Sequence, residues 1–424
     1  MSFVVNDCSP FAENLSATDQ RWLADLAKSA KQGDFVIRLE GGRDDEPIVR
    51  CAEDGRWWAG RYVGNIVFRG RSLTIRPRFG DDTLRAWFAA AFNIALVEMP
   101  GAPKNADWYI PWLLATVWSR LLVRASRHGL PALHADVREY SLSIKGSLDI
   151  PRTTMLRAAG APTVASVRRE KSLDNAISRA IVGAHRELAK SLAPRRDAGW
   201  LPERAAEVVG LLIGAVGKRP EIPSFEDMRK VRLTPITAGF REVAELSLRI
   251  VAGLGVIGDT AGSGSCRGVL VDVAEIWELY VLAAARRARP DLDVLHGTRQ
   301  FDETWLLLNE KGETHGLIKP DIVIKDEAIV CAILDAKYKR LINQKPLTED
   351  LYQMVAYLNG MSQNADKIVG LLAYPKTPYS LGSANAAGED LWMLDRQRSL
   401  KFITLPHDLD EAAATIGKHV STHV

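Results

Sequence analysis

What this 424-residue chain lacks narrows its options first. Its four cysteines, Cys8, Cys51, Cys266 and Cys331, are far apart and form no C-x-x-C pair. That argues against a zinc site or a disulfide framework and fits a reducing compartment. No G-x-x-x-x-G-K-[ST] loop occurs, so any nucleotide-driven motor must be another polypeptide. No serine stands in a G-x-S-x-G elbow. The most apolar window, Ala86 to Met99, is interrupted by Asn93 and Glu98 and is too short to cross a bilayer. The start, Met1-Ser-Phe-Val-Val-Asn-Asp, has neither the basic region nor the apolar stretch of a signal peptide. The expectation is a soluble cytoplasmic protein without membrane contact.

Strong charge bias is also missing, since the formal net charge is only +3. Its distribution is more informative. Between Arg138 and Arg196 there are twelve Lys/Arg against five Asp/Glu. Such an excess is either a solvated basic face or a phosphate-facing surface. The residues that would serve the second role are Lys145, Arg152, Arg168, Arg169 and Lys171, with Lys339 further along.

With 47% hydrophobic and 25% charged residues, the chain is ordinary for a globular protein and long enough for two or three domains. Patterning predicts an α+β multidomain protein. Residues 1–82 read as a small β-rich domain, with a short helix over 17–31 and a half-buried strand in Leu73-Thr-Ile75-Arg. Residues 83–257 read as a helical domain with a basic hairpin region, the hairpin spanning Tyr140 to Arg152 around Gly146. Residues 258–268 form a Gly/Ser-rich linker. Residues 269–424 read as a C-terminal α/β domain with a central mixed sheet. Within this plan Gly253-Leu-Gly255-Val-Ile-Gly258 is a false dinucleotide fingerprint. It closes a helix instead of leaving a strand and opening one.

Chemistry concentrates in Lys319-Pro-Asp321-Ile-Val-Ile and Ala332-Ile-Leu-Asp335-Ala-Lys337-Tyr-Lys. Asp321 opens one strand and Asp335 lies near the end of the next, so two carboxylates can converge on one hard cation such as Mg²⁺. Alternation along the strand puts Asp335 and Lys337 on one face, where the ammonium can hold or help deprotonate a water. The Ala336 carbonyl is a further ligand candidate. A carboxylate ending the apolar run from Val330 calls for a partner or a metal. A structural ion pair between Asp335 and Lys337 is the competing reading. In the following helix Gln353 and Tyr357 are spaced i, i+4 and share a face, with Leu351, Val355 and Leu358 towards the core. Upstream, Glu278 sits on an otherwise apolar helix, able to extend the acidic cluster or to pair with an arginine.

This set resembles the PD-(D/E)XK nuclease superfamily. Asp321 matches the first acid, Asp335 and Lys337 the D-x-K, Glu278 the helical glutamate, and Gln353 with Tyr357 the Q-x-x-x-Y helix of the RecB-like branch. More of the chain resembles the McrC nuclease subunits of McrBC-type modification-dependent restriction systems. That likeness is carried by Trp277-Glu-Leu-Tyr-Val281, Asp350-Leu-Tyr-Gln-Met354, Lys145-Gly-Ser-Leu-Asp-Ile150 and Leu173-Asp-Asn175 through Arg179. Ala176 and Ser178 depart from the usual Pro and Asn.

The resemblance implies a Mg²⁺-dependent DNA endonuclease acting on DNA with methylated cytosine. It implies an McrB-like AAA+ GTPase ring as partner, entered by the N-terminal region. An autonomous RecB-like repair nuclease and a non-catalytic adaptor of an AAA+ ring are the alternatives.

Overall fold

A computed structural model describes all residues except 1, 30–35, 38–45, 93–108, 194–199, 255–265, 299, 302–303, 340–345, 362–366, 377–390 and 421–424. In chain order the described elements begin with β1 (Ser2–Asn6), α1 (Ala17–Ser29), β2 (Val36–Ile37), β3 (Val49–Cys51), β4 (Trp57–Ala59), β5 (Tyr62–Phe68), β6 (Arg71–Arg76) and α2 (Asp81–Ala91). Then follow α3 (Tyr109–Ala125), β7 (Leu133–Ser141), β8 (Ser147–Leu148), α4 (Ile150–Ala158), β9 (Val164–Ser172), α5 (Ala176–Leu192), α6 (Glu203–Val216), α7 (Phe225–Lys230) and α8 (Phe240–Leu254). The last third contains β10 (Cys266–Asp272), α9 (Val273–Ala288), β11 (Asp293–His296), β12 (Thr304–Leu308), β13 (Thr314–Ile318), β14 (Ile322–Asp326) and β15 (Ile329–Ala336). It ends with α10 (Thr348–Met361), β16 (Ile368–Pro375), β17 (Trp392–Met393), β18 (Arg398–Leu405) and α11 (Leu409–Gly417).

These elements form two compact units: Met1–Ile66, Gly70–Ala102 and Leu270–Val424 in one, Val67–Arg69 and Pro103–Val269 in the other. This differs from the serial three-domain division expected over 1–82, 83–257 and 269–424. The N-terminal elements and the C-terminal third share one unit, because β10 enters the N-terminal sheet, whose order is β1-β6-β5-β10-β2. Residues 258–265 of the expected linker lie outside the described residues, and Cys266 already begins β10.

In the first unit the C-terminal sheet runs β11-β14-β15-β16-β18-β17. β14 and β15 are antiparallel, whereas β15–β16 and β16–β18 are parallel, so the sheet is mixed as expected. β18 and β17 complete the sheet, and α11 follows β18. α10 packs on this sheet through Met354, Leu358 and Met361 against Ile333, Leu372 and Phe402. Its core contact is therefore Met354; Val355 is only half-buried. Closely packed apolar surface of this kind stabilises by about 25 cal/mol per Å² removed from water.

The Asp272 side chain caps α9, accepting from Ala274 N at 3.0 Å and Glu275 N at 3.4 Å. Arg61 donates to the same carboxylate at 3.0 Å. The N-terminal sheet thus fixes the start of the helix that carries Glu278. In β6, Leu73 and Ile75 are buried as the alternation predicts.

The second unit is helical, with a three-stranded sheet of order β7-β9-β8. The hairpin expected over Tyr140 to Arg152 does not form, because β7 and β8 each pair with β9 instead of with one another. Gly146 has φ +101°, and a Cβ there would stand 2.4 Å from Val167 O, so the chain folds back directly onto β9. Arg152 consequently lies on α4. Gly253 closes α8 where a Cβ would meet Val269 at 2.1 Å, a packing reason for the first glycine of the false fingerprint. Among the described residues no helix is long and apolar enough to cross a membrane.

Candidate active site

β14 and β15 pair with Ile322 opposite Leu334, which brings Asp321, just before β14, beside the end of β15. The Asp321 carboxylate accepts a hydrogen bond from Ala336 N at 2.7 Å. Gly297 N donates to Asp321 O at 2.8 Å, holding the backbone from the β11 side. A Cβ on Gly297 would lie 2.1 Å from Pro320 O, so only glycine allows this approach. Burial, then the charges of Glu278 and Asp335, push the Asp321 carboxyl well above the usual carboxylate range.

Asp335 is buried, and its carboxylate is ion-paired with the Lys337 ammonium. Lys337 Nζ also donates to Gln353 Oε1 at 2.6 Å and stands 3.6 Å from Asp350. Burial alone would lower the Lys337 pKa, but the surrounding charges of Asp335, Asp321 and Asp350 outweigh it and raise it. Lys337 is therefore an ammonium at neutral pH. The chain of contacts continues, with Gln353 Nε2 donating to Tyr357 OH at 2.7 Å and Tyr357 OH to Lys319 O at 3.0 Å. Helix α10 is thereby tied to the Lys319-Pro320-Asp321 segment, and the i, i+4 reading of Gln353 and Tyr357 matches the geometry.

Glu278 carries enough charge near Asp321 to shift it, and its carboxylate also stands 3.4 Å from His296 Nε2. His296 is buried, with Thr298 Oγ1 3.1 Å from its Nδ1. Among the described residues no group of three or more His, Cys, Asp and Glu stands close enough to cage a metal. The three-acid set of Glu278, Asp321 and Asp335 is thus not closed. Two carboxylates with water in the other positions still suit Mg²⁺, which keeps much of its hydration shell. The donor chemistry fits: both acids are hard oxygen acceptors, and their like charges repel across one small space.

Asp350, His296 and Gly297 belong to the site but were not singled out for it by sequence reasoning. Asp350, in the first turn of α10, is buried and accepts from Lys339 Nζ at 2.9 Å. Its spacing of three from Gln353 on one helix face was the signal available. Lys339 is therefore engaged by an acid. Of the other basic residues, Lys145 donates to Glu139 at 2.6 Å, Arg168 pairs with Glu170 at 2.9 Å, and Arg152 donates to Tyr140 OH at 3.1 Å. Arg169 and Lys171 are exposed on β9.

No curated protein is significantly similar to this chain. Among solved structures, a chain of the refined half-complex from the tetradecameric assembly of Thermococcus gammatolerans McrB AAA+ hexamers with bound McrC is similar at TM-score 0.57 and 17% identity. The match covers 99% of this chain and 98% of that one, a likeness of fold. A chain of the Thermococcus gammatolerans McrBC complex matches at TM-score 0.35 and 15% identity, over 68% of this chain and 88% of that one. Residues 58–375, more than half of the chain, match the family described as McrBC 5-methylcytosine restriction system component, and the chain belongs to that family.

Proposed function

We propose that this chain is the McrC-type nuclease subunit of a modification-dependent restriction complex, cutting DNA that contains methylated cytosine. In this reading the C-terminal sheet with α9 and α10 is a PD-(D/E)XK nuclease fold, working in the cytoplasm beside an McrB-like AAA+ GTPase ring. The observation that carries it is the meeting of Asp321, Asp335 and Lys337 at the ends of two adjacent strands, backed by Gln353 and Tyr357.

Asp321 and Asp335 would hold Mg²⁺, with Glu278 and the Ala336 carbonyl as further contributors. The ion supplies charge neutralisation at the phosphate and a more acidic water. Lys337, an ammonium, donates hydrogen bonds to orient the attacking water and offset charge developing on the phosphate. Gln353 fixes that ammonium, and Tyr357 fixes Gln353. The proton leaving the water passes to solvent or a phosphate oxygen.

The test is cleavage of 5-methylcytosine DNA by the purified chain with Mg²⁺, with and without an McrB-like ring and GTP. Cleavage only with ring and GTP is expected. Equal cleavage without them would make the chain an autonomous nuclease, and none under either condition would leave an adaptor.

A further inference from the structure

The backbone just after Lys337 is gripped from the N-terminal part of the same unit. Arg78, two residues past β6, donates from Nη2 to Tyr338 O at 2.9 Å. Its guanidinium lies 4.5 Å from the centre of the Tyr338 ring and 4.9 Å from that of Phe79. Arg78 N donates to Asp7 Oδ1 at 2.6 Å, and Arg78 Nε stands 3.6 Å from Asp7 Oδ2. Asp7 is fully buried and the Arg78 side chain is only 7% exposed. Phe79 and Trp87 meet the Tyr338 ring edge-on at 5.6 and 6.1 Å.

A charged pair this far from water is costly, and apolar residues would hold a loop more cheaply. What apolar residues cannot supply is a directed bond to a chosen carbonyl. Lys337 N donates to Ala373 O at 2.8 Å, so the backbone is fixed on one side by β16 and on the other by Arg78. Between those two anchors the lysine side chain reaches Asp335 and Gln353.

We infer that Arg78, itself held by Asp7, is a positioning residue for Lys337, so that the N-terminal sheet is a working part of the cleavage site. This rests on the nuclease reading above and adds to it. The arginine joins the two ends because its backbone N–H is held by the Asp7 carboxylate at 2.6 Å while its Nη2 donates to the Tyr338 carbonyl at 2.9 Å, a planar donor that lysine does not offer.

The experiment compares the full-length chain with the double variant Asp7→Asn/Arg78→Met and with Arg78→Lys. The double variant leaves no orphaned buried charge and is expected to fold. Arg78→Lys keeps a cation near Asp7 but loses the Nη2 donor to the Tyr338 carbonyl. Two readouts are taken: hydrogen exchange of the Lys337 and Lys339 amides without metal, DNA or partner, and cleavage by the assembled complex at saturating DNA. Both variants are expected to exchange these amides at least tenfold faster and to cut about tenfold or more slowly, with KM for DNA unchanged. Wild-type protection and cleavage in either folded variant overturns the inference. A wild-type chain that never cuts, while the variants still lose protection, counts instead against the nuclease reading alone.

Discussion

Ala336 N donates to the Asp321 carboxylate at 2.7 Å, so the first acid is held by the peptide that links the second acid to the lysine. This one bond converts two sequence motifs, fourteen residues apart between Asp321 and Asp335, into one rigid arrangement. Movement of either strand end is felt by both acids.

Replacing Asp335 by Asn should cut cleavage by the assembled complex at least about 100-fold, the scale of losing a metal-site ligand or its support. Circular dichroism should stay native, and plasmid cleavage with the partner ring gives the rate. A variant that cuts at the wild-type rate sinks the assignment of Asp335.

Asp321 predicts a pH signature. Its carboxyl is raised by burial and by Glu278 and Asp335, so the folded state takes up a proton more readily than the unfolded one. The stability this confers is complete below the ordinary carboxylate range, near pH 4, and is lost as pH rises through the elevated value. In EDTA the Tm of the wild type should therefore decline with pH more steeply than that of Asp321→Asn, which keeps an acceptor for Ala336 N. Mg²⁺ should raise the wild-type Tm most at the alkaline end. Parallel curves in thermal melts from pH 5 to 8.5 would count against this electrostatic picture.

Gly297→Ala introduces a Cβ 2.1 Å from Pro320 O, a backbone atom that cannot swing away. The segment before Asp321 must shift, at a cost of about 1–3 kcal/mol typical of overpacking. Chemical denaturation should show that loss, and cleavage should fall at the same time. Unchanged stability would mean that the β11 end yields freely.

Tyr357→Phe removes the hydroxyl that accepts from Gln353 and donates to Lys319 O. The loss of two such bonds should lower stability by about 1–3 kcal/mol and slow cleavage by on the order of tenfold. Steady-state rates at saturating DNA separate this from weaker binding, which should not change.

On the second unit, Arg169→Ala/Lys171→Ala should weaken DNA binding more than Lys145→Ala, whose ammonium already serves Glu139. If both side chains meet phosphates, the slope of log affinity against log salt should fall by about 2. Anisotropy titrations at several salt concentrations measure it, and an unchanged slope would make β9 a solvated face.

The motif residues were legible because strand alternation and helix spacing are local rules. Asp335 and Lys337 two apart, and Gln353 and Tyr357 four apart, are placed on common faces by backbone geometry alone. The alternation of Leu73 and Ile75 was legible for the same reason. The hairpin around Gly146 was misread because apolar alternation shows that a strand exists, not which strand it pairs with. β9, sixteen residues beyond β8, takes both partners.

By itself the sequence determined the acids, the lysine, their spacing and the family to which the chain belongs. Only the tertiary structure decided that Glu278 stands beside His296, that Asp350 joins the cluster around Lys337, and that Arg78 reaches the backbone just after Lys337. Those contacts join residues brought together by sheet order and burial, as when Asp7 and Arg78 meet Tyr338 across 260 positions between Arg78 and Tyr338. The bond between Ala336 and Asp321 belongs to both: the sequence supplies its two ends, and the antiparallel pairing of β14 with β15 brings them within reach.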